Sequence, residues 1–162
     1  MKLLTVSALL CAVMVVTTVA GQHLVVKRFR HWYFGWSRYG NRYFRYFPFH
    51  YTWAEAQRHC QSMHANLASV HSLGEYRKIQ RVIYRSTHSY PVTWIGGSDA
   101  QQERYWFWID GTPFTYAYWC RGEPNNIGRR EHCLHMNWTG LNCMNDKSCN
   151  YRYPFVCVKK RR

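Results

Sequence analysis

The sequence predicts an α+β domain, and three observations lead to this prediction. Helix-start signals stand at Thr52 and Ser72. Short strand-like segments follow from residue 93 onward, and residues 112–130 hold Gly, Pro and Asn without a regular period, which indicates a long loop. Two helices followed by several short strands and a long loop are typical of the α+β class.

Two segments have the pattern of capped amphipathic helices. Thr52 is followed three positions later by Glu55, and Ser72 by Glu75, as in a capping box. We therefore predict helices over residues 52–63 and 72–86. The predicted inward residues are Ala54, Cys60 and Met63 in the first helix, and Tyr76, Ile79, Ile83 and Tyr84 in the second.

Strands are predicted on both sides of these helices. Aromatic residues on either side of Gly40-Asn41 indicate a β-hairpin over residues 36–47. Further strands are predicted at residues 93–98, 104–111, 133–138 and 153–160, the second of them ending in the Asp110-Gly111 turn. A loop that contains Cys143 and Cys149 is predicted between the last two strands.

The first twenty residues are typical of a secretory signal peptide. Lys2 precedes an apolar run that begins at Leu3, and small residues follow at Thr18 and Ala20. Its removal takes Cys11 away and leaves six of the seven cysteines; since Lys2 is its only charged residue, the net charge falls from +14 to +13. We expect an exported protein whose cysteines form disulfides, with the pairing left open by the residues alone.

The chain divides into four predicted parts. Residues 1–20 are the signal peptide, 21–35 a basic and aromatic segment, 36–158 one folded domain, and 159–162 a basic tail. Lys27-Arg28, in the second part, is also a candidate site for removal of a propeptide. A mature chain of about 140 residues is large enough to bury a core of its own.

Several short motifs occur in a fixed order within the predicted domain. They are TWAEAQRHC (52–60), NLASVHS (66–72), WIGG (94–97), Trp119, EPN (123–125), EHC (131–133), NDKSC (145–149) and YPFVC (153–157). In this order and spacing, from about Trp36 to Cys157, the chain resembles C-type lectin-like domains, and in particular the secreted fish lectin and type II antifreeze branch. The resemblance implies two helices flanking short antiparallel sheets, with a long disulfide-pinned loop that binds calcium.

The resemblance also implies a set of disulfides. The implied pairs are Cys60-Cys157, Cys133-Cys149 and, as in the fish branch, Cys120-Cys143. Three positions depart from the pattern of the family. Trp32 or Tyr33 and Tyr43 occupy the places of a cysteine pair that many relatives have across the first hairpin, and Met144 replaces a tryptophan.

Five oxygen-bearing side chains are the candidate metal and ligand site: Glu123, Asn125, Glu131, Asn145 and Asp146. Calcium prefers carboxylate and carbonyl oxygens. The resemblance implies that these residues hold one Ca²⁺, with a cis peptide bond before Pro124, and that both metal and side chains contact vicinal sugar hydroxyls. Taken alone, the EPNN segment favours an ordinary turn, and the other three residues in the family's register favour the calcium site.

The resemblance further implies the class of sugar that is bound, and it allows a second metal site of the family to be compared with this sequence. The EPN sequence goes with mannose-type ligands in the family, and galactose is the alternative. An auxiliary calcium site is only half present, because Asp99 and Glu103 are in register whereas Asn126 and His132 replace two acids. We do not expect calcium there.

The sequence also favours two other functions. The basic charge favours a cationic antimicrobial protein that binds anionic microbial surfaces, and the resemblance includes antifreeze-like or mineral-binding structural proteins. An exported chain makes nucleic acid a poor ligand, no nucleophile has a placed base for catalysis, and the nine histidines show no closed zinc-ligand spacing. Weak binding of single sugars predicts a homo-oligomer. Asn137 begins a glycosylation sequon.

Overall fold

The structure, a computed structural model, describes residues 35–161. The predicted signal peptide and residues 21–34 lie outside the described residues. Residues 21–34 include the Lys27-Arg28 cleavage candidate, Trp32 and Tyr33. The predicted α+β fold is confirmed. Two helices, α1 (Trp53–Gln61) and α2 (Leu73–Thr87), accompany one mixed sheet. Its strands are β1 (Ser37–Tyr39), β2 (Arg42–Tyr51), β3 (Asn66–Leu67), β4 (Thr93–Ser98), β5 (Phe107–Trp108), β6 (Cys133–Trp138), β7 (Cys143–Lys147) and β8 (Tyr153–Lys160).

The sheet follows the order β1-β2-β8-β4-β6-β7, with β3 paired to β8 and β5 paired to β4. All of these pairs are antiparallel except β4 with β8. The β1-β2 hairpin turns at Gly40-Asn41 as predicted. β8 extends to Lys160 and so includes the first two residues of the segment predicted as a basic tail. No helix within residues 35–161 is long and apolar enough to cross a membrane.

Two predictions about strands are wrong. The segment after β6 was predicted to be a loop, but it contains β7, whose polar sequence lacks the alternation that signals a strand. The strand predicted over residues 104–111 contracts to Phe107–Trp108. The short strand β3 was not predicted.

Both helices start where the capping signals place them, but only α1 has the reciprocal arrangement. Thr52 accepts from the Glu55 amide at 3.3 Å, and Glu55 accepts from the Thr52 amide at 2.9 Å. At α2, Ser72 accepts from the Glu75 amide, whereas the Glu75 carboxylate turns to the amide of His71. The other carboxylate oxygen of Glu75 forms an ion pair with the buried Arg42, described below.

The inward faces of the helices differ from the prediction at two positions. Ala54 is exposed and Ala56 is buried in its place, whereas Cys60 is buried as predicted. Tyr84 is 44% exposed and packs on the ring of Tyr90, while Val82, three positions after a buried isoleucine, takes the inward place. The α2 side of the sheet carries one apolar core, and a second core of aromatic side chains lies between α1 and β8.

Three disulfides tie the elements together, with the pairings that the resemblance implies. Cys60-Cys157 joins α1 to β8, Cys120-Cys143 joins the long loop to β7, and Cys133-Cys149 joins β6 to the chain beyond β7. Two of these bonds therefore hold the region that contains the candidate site.

A buried ion pair joins β2 to α2. Arg42 of β2 is 6% exposed, and its guanidinium lies 2.5 Å from Glu75 of α2 and 3.8 Å from Asp110. Ser69 accepts from Arg42 and donates to Asp110. Although burial opposes ionisation, hydrogen bonds from Ser69 and Thr112 hold the pKa of Asp110 below its usual value. The network joins β2, α2 and two loops.

Candidate functional site

The five predicted site residues come from the long loop, from β7, and from the residues just before β6. β7 pairs with β6 so that Asn145 stands opposite His135 and Asp146 opposite Leu134. The loop reaches β7 through backbone hydrogen bonds between Met144 and both Tyr118 and Cys120. Met144, which replaces the tryptophan of the family pattern, is fully buried there.

Asp146 is the residue that fixes the loop on the strand. Its carboxylate is fully buried and accepts from the backbone amides of Asn125 at 3.2 Å and Asn126 at 2.8 Å. The peptide bond between Glu123 and Pro124, directly before these amides, is cis. Glu123, Asn125 and Asp146 are thereby brought to one place.

Asn145 is oriented by two acceptors. Its amide nitrogen donates to the Asp146 carbonyl at 2.5 Å and lies 3.1 Å from Nε2 of His135. Burial lowers the pKa of His135 to about 4, so the ring is neutral near pH 7 and Nε2 can accept. His135 was not among the predicted site residues, although it determines which way the Asn145 oxygen faces.

The chemistry of the group fits a cation. Glu123 Oε2 and Asn145 Oδ1 are buried oxygens without a hydrogen-bond partner among the described residues. Burial, followed by the negative charges of Asp146 and Glu131, raises the pKa of Glu123 to about 7. Buried oxygens without a donor, and carboxylates that repel one another, are what a divalent cation would relieve. Glu123, Asn125, Glu131, Asn145 and Asp146 thus have the donor set for Ca²⁺.

Glu131, one of the five candidate site residues, forms an ion pair with Lys147. It is 4% exposed, and its oxygens accept from the Ile127 amide at 3.1 Å and from Lys147 Nζ at 2.6 Å. Hydrogen bonding to Glu131 raises the pKa of Lys147. Lys147 follows Asn145-Asp146 directly and was not predicted to matter. Its ammonium group already neutralises one carboxylate of the site.

Replacing Lys147 with Met is expected to strengthen calcium binding about tenfold, which corresponds to about 1.4 kcal/mol. The lysine competes for Glu131, so its removal returns a full negative charge to the site. Calcium titration by calorimetry measures the effect, with Lys160→Met, at the exposed end of β8, as the charge-matched control. Equal affinities for the two variants would show that Lys147 does not compete.

The glycosylation sequon lies in a buried place. Asn137 is 3% exposed, its amide nitrogen donates to the Pro91 carbonyl at 3.1 Å, and its amide oxygen accepts from Gln80 at 3.3 Å. A glycan on that nitrogen requires these contacts to open. The structure therefore counts against modification of the folded chain.

Comparison with known proteins agrees with the fold. Residues 50–159 match the Lectin C-type domain. Ladderlectin of Oncorhynchus mykiss is 44% identical over 126 residues, which are 78% of this chain and 66% of that protein. The galactose-specific lectin nattectin of Thalassophryne nattereri is 36% identical over 125 residues, 77% of this chain and 78% of that protein.

Solved structures with the same fold include antifreeze proteins. Herring type II antifreeze protein has a TM-score of 0.74 and 34% identity, covering 79% of this chain and 98% of its own. A calcium-independent type II antifreeze protein has a TM-score of 0.70 and 32% identity, covering 78% of this chain and 92% of its own. The family match extends over most of the folded residues and includes every residue of the candidate site. This chain belongs to the C-type lectin domain family.

Proposed function

We propose that this protein is a secreted, calcium-dependent lectin that binds mannose-type sugars of microbial glycans and has no catalytic activity. The observation that carries the proposal is that Glu123 Oε2 and Asn145 Oδ1 are buried without a hydrogen-bond partner among residues 35–161. Both belong to a group of five oxygen-bearing side chains. Sequence similarity to ladderlectin and nattectin supports the carbohydrate ligand.

The five side chains have two kinds of role toward a sugar. Bound calcium would supply coordination positions for two neighbouring hydroxyl groups. The carboxylates of Glu123 and Glu131 accept hydrogen bonds from those hydroxyls, and the amide of Asn125 donates to them. Asn125 is exposed, so this amide is accessible to a ligand. Single sugars bound in this way are held at about millimolar strength, so we also propose assembly into homo-oligomers.

The proposal is tested by retention on mannose and galactose resins with calcium and with EDTA. We expect retention on mannose in calcium and release by EDTA. The double variant Glu123→Gln with Asn125→Asp reverses the carboxylate and amide positions and is expected to move the preference toward galactose. Retention on mannose that persists in EDTA would refute calcium-dependent binding. Preference of the unaltered chain for galactose would refute the mannose assignment and leave the lectin function intact.

Calcium affinity is expected to fall as the pH drops below about 7. The pKa of Glu123 is raised to about 7 without metal, and its carboxylate must lose a proton before it can bind calcium. Above that pH the carboxylate is already ionised and affinity levels off, whereas each unit below it costs up to about tenfold for one proton. Titrations between about pH 8 and about pH 5 measure the profile, and a flat profile would contradict this assignment of Glu123.

A role at anionic surfaces is a second candidate, favoured by the basic residues of the site. Arg104, Arg121, Arg129 and Arg130 are all exposed, and two of them line a cavity together with Asn125 and Asn126. Binding to vesicles with anionic lipid that falls steeply with salt but ignores EDTA is the expected signature of this function. Binding that EDTA removes at constant salt would favour the lectin instead.

A third candidate follows from the similarity to type II antifreeze proteins, because a type 2 ice-structuring protein reaches the same sequence identity to this chain as nattectin. Thermal hysteresis measured with and without calcium separates the two. We expect none in either condition, because an ice-binding face is flat and weakly charged, whereas this loop carries several exposed arginines. A measurable hysteresis would assign the protein an ice-binding function.

A further inference from the structure

Asp99, Glu103 and His132 form a second cluster beside the long loop. Ligand atoms of all three side chains lie within 4.8 Å of one another, and no other group of three His, Cys, Asp or Glu side chains in residues 35–161 is this tight. His132 Nδ1 lies 3.1 Å from Asp99 Oδ1 and 3.7 Å from Glu103 Oε2. One imidazole therefore faces two carboxylates.

The backbone holds two members of this cluster in a fixed relation. Asp99 follows β4 and His132 precedes β6, next to the pair that Ser98 makes with Cys133. The His132 carbonyl accepts from the Asp99 amide at 3.2 Å and from the Ser98 hydroxyl at 2.8 Å. Asp99 is 2% exposed, and its second carboxylate oxygen accepts from the Arg104 amide at 2.8 Å. The remaining oxygen is thus aimed at His132.

We propose that Asp99, Glu103 and His132 bind zinc through one carboxylate oxygen each from the acids and Nδ1 of the imidazole. Tetrahedral zinc with bonds of about 2.0 to 2.1 Å separates its ligand atoms by about 3.3 Å. The two measured separations from Nδ1 lie on either side of that value. The side chains of His132 and Glu103 are 29% and 49% exposed, so the fourth position is open to water.

The donor set favours zinc over calcium at this place. Calcium takes about 6 to 8 oxygen ligands, and the cluster offers two carboxylates. Imidazole is a preferred ligand of zinc and of related transition metals. Asn126 does not add an oxygen, because its amide nitrogen is turned to Glu103 and its oxygen accepts from the Glu131 amide at 2.9 Å. The substitution of His132 for an acid thereby changes the metal that this position suits.

The competing interpretation is a protonated imidazole that simply pairs with both acids. In that case the ring hydrogen-bonds to Asp99 at 3.1 Å and lies at ion-pair distance from Glu103 at 3.7 Å. Both interpretations fit these separations, so titration with zinc decides between them. Zinc is not predicted from the sequence here, because His132 stands far from Asp99 and Glu103 in the chain and no cysteine or second histidine completes a closed ligand spacing.

Zinc alone, titrated by calorimetry into untagged protein with calcium in excess, tests the proposal. We expect one saturable site, weakened more than about tenfold by His132→Gln and by Glu103→Gln. His50→Gln, an exposed histidine on β2, is the matched control and leaves the affinity unchanged. Glu123→Gln also leaves it unchanged, so that failure of the calcium site and failure of this one are distinguishable. Absence of saturable binding, or equal affinity in the His132 and His50 variants, would overturn the proposal.

Two further measurements guard against loss of folding in the variants. Melting curves without zinc should agree between His132→Gln and the unaltered protein. Cobalt in place of zinc should give visible absorption bands of a nitrogen- and oxygen-ligated ion that disappear in His132→Gln. Bands that persist in a folded His132→Gln protein would assign the metal to other residues.

Discussion

Replacing Glu123 with Gln is expected to weaken calcium binding about 100-fold, or about 2.7 kcal/mol, and at the same time to stabilise the protein without metal. The first effect follows from the loss of one of three carboxylates in the site. The second follows because Glu123 lies where burial, Asp146 and Glu131 all oppose its ionised form.

The pH dependence gives the sign of the second effect. The folded-state pKa of Glu123 is raised from 4.5 to about 7, so the ionised carboxylate destabilises the metal-free fold. The cost is absent at low pH, where both states are protonated, grows from about pH 4.5 upward and is complete above about pH 7. Discounted for the solvent screening of a partly exposed side chain, the gain on substitution is on the order of 1 kcal/mol above pH 7.

Two variants complete this experiment. Glu55→Gln removes an equal charge at the exposed start of α1 and should leave calcium affinity unchanged. Glu123→Gln with Asn125→Asp restores the number of carboxylates in the loop and should recover most of the binding. Calorimetry and denaturant unfolding with EDTA are the two measurements. A Glu123→Gln variant that binds calcium normally, or that is less stable without it, would contradict the assigned role.

Replacing Glu75 with Gln is expected to lower the free energy of unfolding by about 3 kcal/mol, the largest stability effect that we foresee for a single side chain. Arg42 would remain buried and charged with its closest acidic partner gone, since Asp110 lies 3.8 Å away. The amide of the new Gln would also bring donors toward the guanidinium. Glu75 is 4% exposed, so water cannot replace the lost partner.

A double-mutant cycle measures the coupling between Arg42 and Glu75 directly. Arg42→Met with Glu75→Gln removes the buried charge together with its partner and should cost less than the sum of the two single changes. Denaturant unfolding of the four proteins gives the coupling free energy. Additive effects would show that the two residues contribute independently and that the ion pair is not what joins β2 to α2.

The capping signals and the chain order of the helices and most strands were sufficient to predict the fold class. The errors have local causes. Helical spacing predicts that Tyr84 faces inward, but in the folded protein its ring packs on that of Tyr90 at the surface. β7 was read as a loop because its sequence CMNDK has no alternating pattern; its place is set by pairing with β6 and by a disulfide, which act over long distances in the chain.

The motifs predict the five candidate site residues, but they do not predict the residues that contact them. His135 faces Asn145 only through the register of β6 with β7, so a prediction without β7 could not connect them. Lys147 looked like one more basic residue in a basic chain. Its importance comes from the 2.6 Å contact with Glu131, which sequence spacing does not reveal.

Calorimetric titration of calcium into the metal-free, disulfide-bonded protein is the most direct test of the whole account. We expect saturable heat with a stoichiometry near one per chain, with an affinity about 100-fold weaker in Glu123→Gln and about tenfold stronger in Lys147→Met. Heat that is absent, or unchanged when Glu123 is substituted, would mean that the five side chains do not form a calcium site.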